Sequence, residues 1–433
     1  MTKEKWKVTD ALLDVVEVDD GSAEGLYKSV KELLKGKDIP LQNIIGFASD
    51  NCSTMLGTHK GFQAYLKQDI PSVFILGCVC HSFSLCASHA SNTLPSWLES
   101  FLKDVCGYFA RSSKRQHLFQ IIQDVAQTPK HKMLKLAETR WLSRGALVRR
   151  ILEQWEALRL FFQEESRTDK VDGASLIHKT MTALGTKYML LFLSYILSKV
   201  DKMNIEFQSQ YFRLSTLYST ISDEYRSILA LFVKEEVIQK LKLRDIDVHN
   251  TALHKKVHDV DLGGRCESML IKEPLGENEE RFRCDCQKFL MELCAQMRKR
   301  IIFLAMLRML DPKEALSQKR SLRSIAKLAV HFPTVIKEED LDRLQDEWKD
   351  LLHFKETMKN MSDSATTFWL ELPIVKDGNN HPKFSLLSNF MCCLLALPHS
   401  SACVERIILS TEHNQNKANK QAACNSCCKP SSG

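Results

Sequence analysis

Along the first ninety positions the apolar residues fall in short dense runs, and beyond residue 90 they recur at intervals of three and four. "LLDVVEV" at 12–18 alternates loosely and closes on the turn signal "DDGS", which predicts a strand. A helix is expected from Ser22 through Leu34, and "NIIGFAS" at 43–49 then reads as a short buried strand. A second helix over about 55–68 leads through Pro71 into "VFILGCVC", a further run rich in strand formers, after which "HSFSLCASHA" turns amphipathic. Strands alternating with helices imply a partly parallel sheet.

The rest of the chain carries helical spacing. Leu147, Ile151, Trp155, Leu158 and Phe162 mark one face of a single long helix. "SQYFRLSTLYSTISDEYRSILALFV" and "CQKFLMELCAQMRKRIIFLAML" predict two more, and the polar, glycine-containing stretch between them, about 240–283, reads as an exposed loop or boundary. Near the end, "FSLLSNFMCCLLAL" is an apolar helix broken at Pro398, followed by a second helix that Ser400 or Ser401 caps, with Glu405 in its first turns. The last residues, "NQNKANKQAACNSCCKPSSG", have no apolar period and are expected to fray.

Composition narrows the class. With 433 residues, 44% hydrophobic and 26% charged, the chain has material for a core in two or three structural units and is not a disordered polymer. A formal charge of +7 is a mild basic excess, compatible with nucleic acid as a partner without demanding it. The longest apolar run, "YMLLFLSYIL" at 188–197, is shorter than the ~20 residues of a spanning helix. Fifteen cysteines without a charged-then-apolar leader suggest a reduced, intracellular protein with no membrane association.

Four motifs, in chain order, then carry a resemblance: "FASDNCSTMLGTHKGF" at 47–62, "CVCH" at 78–81, "TRWLS" at 139–143 and "LPHSSACVER" at 397–406. They resemble, respectively, the second-aspartate, Cys-x-x-His, Arg-Trp and acidic-residue motifs of hAT-superfamily transposases, in the domesticated, zinc-finger-associated branch. The resemblance covers nearly the whole chain. It implies an α/β fold, an incomplete RNase H-like domain interrupted by a large all-α insertion, mostly helical overall. It divides the chain into a partial RNase H-like region at 1–140, a helical insertion at 141–365, a dimerisation and domain-closing region at 366–415, and a tail at 416–433 expected to be disordered.

In that family three carboxylates hold two divalent ions that serve both ends of a phosphoryl displacement. By position Asp50 matches the second aspartate and Glu405 the glutamate, so Mg²⁺ is the implied ion and these are its implied ligands. Cys78 and His81 match the Cys-x-x-His pair; Arg140 and Trp141 match the motif whose aromatic ring stacks near the DNA end. Nuclear location, DNA contact and self-association or another protein partner are implied in the same way.

Two departures weigh against activity. The first aspartate belongs two strands before "LLDVVEVDDGSAEGL"; Asp10, Asp14, Asp19 and Asp20 match the third strand and its turn instead. The strands that would carry it are expected to be missing, and transposase activity with them, because two clustered cations lose much of the charge that offsets their repulsion. After Glu405 the family's basic stretch survives only in fragments, and the zinc finger frequent at the start of such proteins is expected to be missing as well. The favoured expectation is a catalytically inactive binding module. An active metal-dependent strand-transferase and a non-functional product of a decayed element are the alternatives.

Each motif also has a plain structural alternative. Asp50 suits a helix cap near Ser53 or a turn closed by its side chain. Cys78 and Cys80 would share one face of a strand, and with His81, Cys86 and His89 they lack clean zinc spacing, which favours structural thiols. Trp141 suits a core anchor. The basic clusters at 110–117, with Lys114 and Arg115, at 297–300 and at 318–327 suit either a phosphate backbone or solvated helix faces.

Overall fold

The computed structural model describes residues 11–110, 112–134, 141–168, 172–207, 214–317, 324–353, 364–398, 401 and 404. It is mostly helical, with one small parallel sheet, and it comprises two compact units. One is built from residues 1–81, 207–217 and 306–433, the other from 82–206 and 218–305.

The first unit opens on residues 11–20, which are exposed throughout and adopt no regular structure. The strand expected over 12–18 is therefore not formed: a strand exists through its ladder partners, and among the described residues this stretch has none. Helix α1 (Ala23–Gly36) begins where its cap demands. The Ser22 hydroxyl accepts from the Gly25 N–H at 3.1 Å and is itself held by Asp20 at 2.8 Å. Strands β1 (Gly46–Ser49) and β2 (Phe74–Gly77) pair in parallel, Gly46 opposite Phe74 and Ser49 opposite Gly77.

Between the strands the expected single helix is two, α2 (Ser53–Leu56) and α3 (Phe62–Asp69). Gly57 and Gly61 explain the break, since a Cβ on Gly61 would run into the backbone of Gly57, one on Gly57 would strike the Ser53 carbonyl, and only glycine permits that approach. Phe62, Leu66, Ile70 and Val73 pack with Tyr27 of α1, and Phe47 and Ile75 from the two strands join the same cluster. Tyr27 Oη and Lys31 Nζ both donate to Asp69 at 2.6 Å, offsetting an acid placed at a helix C-terminus.

The other face of the sheet is covered by the chain's last third. Phe332 lies 5.3 Å from Phe74 and 6.3 Å from Phe390, ring centre to ring centre, and a Cβ at Gly46 would strike Leu397.

The second unit begins within α4 (Val79–Ser91) and continues through α5 (Ser96–Ala110) and α6 (Ser113–Val125). The long helix expected across 147–162 is interrupted: α7 (Trp141–Glu153) and α8 (Trp155–Thr168) meet at Gln154. That side chain is buried and satisfied, accepting from Gln123 Nε2 at 2.8 Å and donating to the Pro129 carbonyl at 2.9 Å. Tyr108, Phe109, Phe119, Phe161 and Phe162 form an aromatic core among α5, α6 and α8. Helices α9 (Asp172–Thr182), α10 (Thr186–Phe207), α11 (Leu214–Leu229), α12 (Glu235–Lys240), α13 (Gly264–Lys272) and α14 (Glu279–Leu304) follow.

The segment expected to be an exposed loop, 240–283, is instead ordered and partly buried: Ile246, Val248, His254, Val260, Leu262 and Cys266 are all core. Its polar residues are absorbed by pairing, chiefly Arg283 with Glu267 at 2.8 Å and Glu279 at 2.9 Å. Among the described residues no single helix is long and apolar enough to cross a membrane.

Back in the first unit, α15 (Pro312–Ala315), α16 (Ser324–Ala329), α17 (Leu341–Asp350), α18 (Ala365–Glu371) and α19 (Ser385–Leu395) complete the fold. Helix α19, the apolar segment before Pro398, buries Leu387, Phe390, Met391, Leu394 and Leu395. Its N-terminus is satisfied by Glu347 of α17, which accepts the Leu387 N–H at 2.8 Å. Trp369 donates to the Leu310 carbonyl at 3.0 Å, and Ser388 donates to the Trp369 carbonyl at 2.6 Å. The apolar face of α19 is thus consumed by its own core.

Candidate functional site at the carboxyl ends of the strands

Asp50 follows β1 and Cys78 follows β2, and parallel pairing sets them side by side: the Cys78 N–H donates to the Ser49 carbonyl at 2.8 Å. Carboxyl ends of parallel strands are where open α/β sheets collect ligands, because the following helices present their N-termini there. Asp50, Asn51, Cys78 and Ser401 gather at this edge. A Cβ at Gly77 would strike the Asn51 side chain, and the Ser401 N–H reaches Cys78 Sγ at 3.5 Å.

Asp50 itself is exposed. Its Oδ1 accepts the Cys52 N–H at 3.4 Å, and its carbonyl accepts the Ser49 hydroxyl at 2.9 Å. This is a turn closed by the aspartate's own side chain. Of the two structural alternatives the turn is found and the cap is not, since Cys52 occupies the N-cap position of α2 and makes no side-chain capping bond. Partial burial, and then the Asp50 carboxylate beside it, raise the Cys52 thiol above its ordinary value.

The Cys-x-x-His spacing has a local explanation. Cys80 lies in the first turn of α4, not on the strand as expected, so the two cysteines do not share a strand face. Cys78 immediately precedes α4, and its sulfur accepts the backbone N–H of His81, three residues on. That is the reach of an N-cap side chain to the third helical residue, the same interval used by serine and threonine caps. Cys78 is buried, His81 half-buried. The Cys80 thiol donates most strongly to Cys78 Sγ; against burial, it and the Ser401 hydroxyl and N–H, with the His81 N–H, pull the Cys78 pKa down to about 4. Ser401 is a member of this site that sequence reasoning placed only as a helix cap; the closeness of residues 78 and 401 has no local signal.

Among the described residues no group of three or more His, Cys, Asp or Glu side chains is placed to hold a metal ion. Of the carboxylates implied by the resemblance, Asp50 is described and Glu405 lies outside the described residues. Asp50 alone supplies one carboxylate, whereas a hard dication such as Mg²⁺ takes several converging oxygens.

The residues expected to meet nucleic acid belong to the second unit. Arg140 lies outside the described residues, and Trp141 is the first residue of α7. Lys114 is exposed in the first turn of α6. Arg115 is engaged structurally: its guanidinium sits 3.9 Å from the Tyr108 ring centre, donates to the Tyr108 carbonyl at 3.2 Å and lies 4.0 Å from Glu165. Such a stacked, paired arginine is fixed in the fold and is less available to a phosphate than Lys114. No protein-family model matches the chain.

Proposed function

We propose that the chain is a transposase-derived protein that works in the nucleus by binding, to DNA and to protein partners including its own copies, and not by catalysis. The RNase H-like reading of the first unit belongs to the same proposal. The observation that carries it is the edge formed by Asp50 and Cys78. An aspartate stands at the carboxyl end of one parallel strand and a Cys-x-x-His motif opens the helix after its neighbour, the two positions that the resemblance matches to family motifs, yet Asp50 is used in a turn and Cys78 at a helix start. Asp50 turns the chain, and Cys78 caps a helix. Ser401, which reaches this edge, stands four positions before Glu405, the order in which the family returns its glutamate.

The test is a DNA-binding and nicking assay on the full chain, run with Mg²⁺, with Mn²⁺ and with chelator, beside an Asp50→Asn variant. Duplex binding that weakens steeply with salt, unchanged in the variant and without divalent-dependent nicking, is expected. Divalent-dependent nicking that disappears in Asp50→Asn overturns the non-catalytic reading, and an absence of duplex binding at low salt overturns the DNA-binding part of it.

A further inference from the structure

Starting α4 does not exhaust the chemistry of Cys78. Four donors converge on its sulfur: the Cys80 thiol, the Ser401 hydroxyl, the Ser401 N–H at 3.5 Å and the His81 N–H. The same sulfur stands at the N-terminal end of a 13-residue helix, where the backbone dipole favours negative charge. A neutral thiol is a weak acceptor and gains little from such a ring of donors, whereas a thiolate gains from each of them. Burial opposes the charge and is outweighed. The other buried thiols lie in the opposite sense: burial pushes Cys86 and Cys266 up to about 12 and Cys294 well above its ordinary value. Those thiols stay protonated and inert, while Cys78 holds the form that attacks electrophiles.

The donor of the strongest of these bonds is itself a thiol. Cys80 sits in the first turn of α4 with its side chain in hydrogen-bond contact with Cys78 Sγ. An oxidised Cys78 therefore forms with a second sulfur already beside it, the arrangement that turns a transient sulfenic acid into a disulfide.

Burial then selects the reagent. Cys78 is 2% exposed and Cys80 7%. An incoming disulfide must line up behind the sulfur it attacks, and neither a tripeptide nor an aromatic disulfide has room to do so here. Hydrogen peroxide, little larger than water, is the oxidant that this degree of burial admits.

We propose that Cys78 and Cys80 form a peroxide-responsive pair, with Cys78 the attacked sulfur and Cys80 the resolving one. The Cys78 thiolate attacks one peroxide oxygen, the O–O bond breaks, and the departing hydroxide takes a proton from solvent to leave as water. Cys78 then carries a sulfenic acid. The Cys80 sulfur displaces its hydroxyl, the Cys80 thiol proton going to the leaving oxygen, so that an S–S bond and a second water are formed. Two electrons pass from the sulfur pair to the peroxide. The product lacks the negative sulfur to which His81 and Ser401 donate, so oxidation loosens the start of α4 and the hold on Ser401 together.

The test treats the reduced full chain with hydrogen peroxide and maps its peptides by mass, with a diketone present to trap sulfenic acid. A Cys78–Cys80 disulfide that dithiothreitol reverses is expected. Trapped sulfenic acid on Cys78 should rise about tenfold in Cys80→Ser, and loss of the Cys80 thiol should slow about tenfold in Cys78→Ser. Amide exchange at His81 and Ser401 should quicken on oxidation and recover on reduction, which a purely structural thiol pair would not show. An aromatic disulfide reagent should leave both sulfurs untouched until denaturant is added. If either variant melts below the parent, the peptide map and the exchange of the parent chain decide alone. Oxidation that spares Cys78 while other cysteines react, or that reaches it only in denaturant, overturns the proposal. A disulfide from Cys78 to any other cysteine overturns the part given to Cys80.

Discussion

Cys78 shows how much one side chain can determine about its surroundings. It ends a strand ladder through its N–H and starts a helix through its sulfur, and that sulfur also receives the Ser401 N–H. Replacing it with alanine should cost about 1 kcal/mol from the lost cap alone, while serine should retain most of the stability; urea unfolding midpoints of the two variants check this. Gln154 is the matching case in the second unit. Gln154→Leu should cost about 1–3 kcal/mol, because it leaves the buried Gln123 amide short of an acceptor, and the same measurement reads it. His254 supplies a pH dependence. It is buried, with Nε2 2.9 Å from the Val248 carbonyl, and burial holds its pKa below the usual 6.5. The neighbours facing it are His249 and Lys234, which disfavour its charge, and Asp247, which favours it. A depressed histidine pKa means the unfolded chain takes up the proton first. The contribution is therefore fully present above about pH 6.5 and is lost as pH falls from there towards the folded value. Thermal melts should shift downward across that window, and the imidazole resonance of His254 should keep its neutral position at pH 6.5.

At the scale of elements, the legible features were those with a local cause. Helix α1 was readable because Ser22 and Glu24 announce a start and a four-residue apolar interval follows; β1 and β2 were readable as short runs bounded by turn residues. The breaks were not. Gly57 and Gly61 interrupt a helix through contact with each other, and Gln154 interrupts one through partners at 123 and 129, so neither break shows in a periodicity count. The region 240–283 misled for the opposite reason: its polar residues are neutralised by one another, as Arg283 is by Glu267 and Glu279, and its scattered aliphatics suffice for burial without a period. At the candidate site, Asp50 and the Cys-x-x-His pair were visible as local motifs, whereas their adjacency needed the register of two strands and the approach of Ser401 from the far end of the chain. Helix α19 was recognisable as apolar, and its environment decided its role. Phe390→Ala should cost about 3–5 kcal/mol, as expected for an aromatic side chain removed from a close-packed interior, and loss of soluble expression or a fall in melting temperature reads it.

On the scale of the whole molecule, the chain leaves the first unit at residue 81, builds most of the second, and returns for good at 306. The small sheet depends on that return. One face rests on α1 and α3, close in sequence, while the other is closed by Phe332, Phe390 and Leu397. A chain ending before α17 should therefore bind a hydrophobic dye and aggregate, whereas one shortened only within 416–433 should not; light scattering of the two distinguishes them. The placing of Leu397 over Gly46 also has a bearing on how the protein is made. As the polypeptide emerges from the ribosome, the two strands and their first helices are synthesised long before the residues that cover them. For roughly 250 further residues, about 12–50 s at ordinary elongation rates, half of that core has nothing to close on. During each round of translation the nascent first unit presents Phe74 and Leu76 as a ready surface for chaperones, and a ribosome that stalls in the second unit leaves it so.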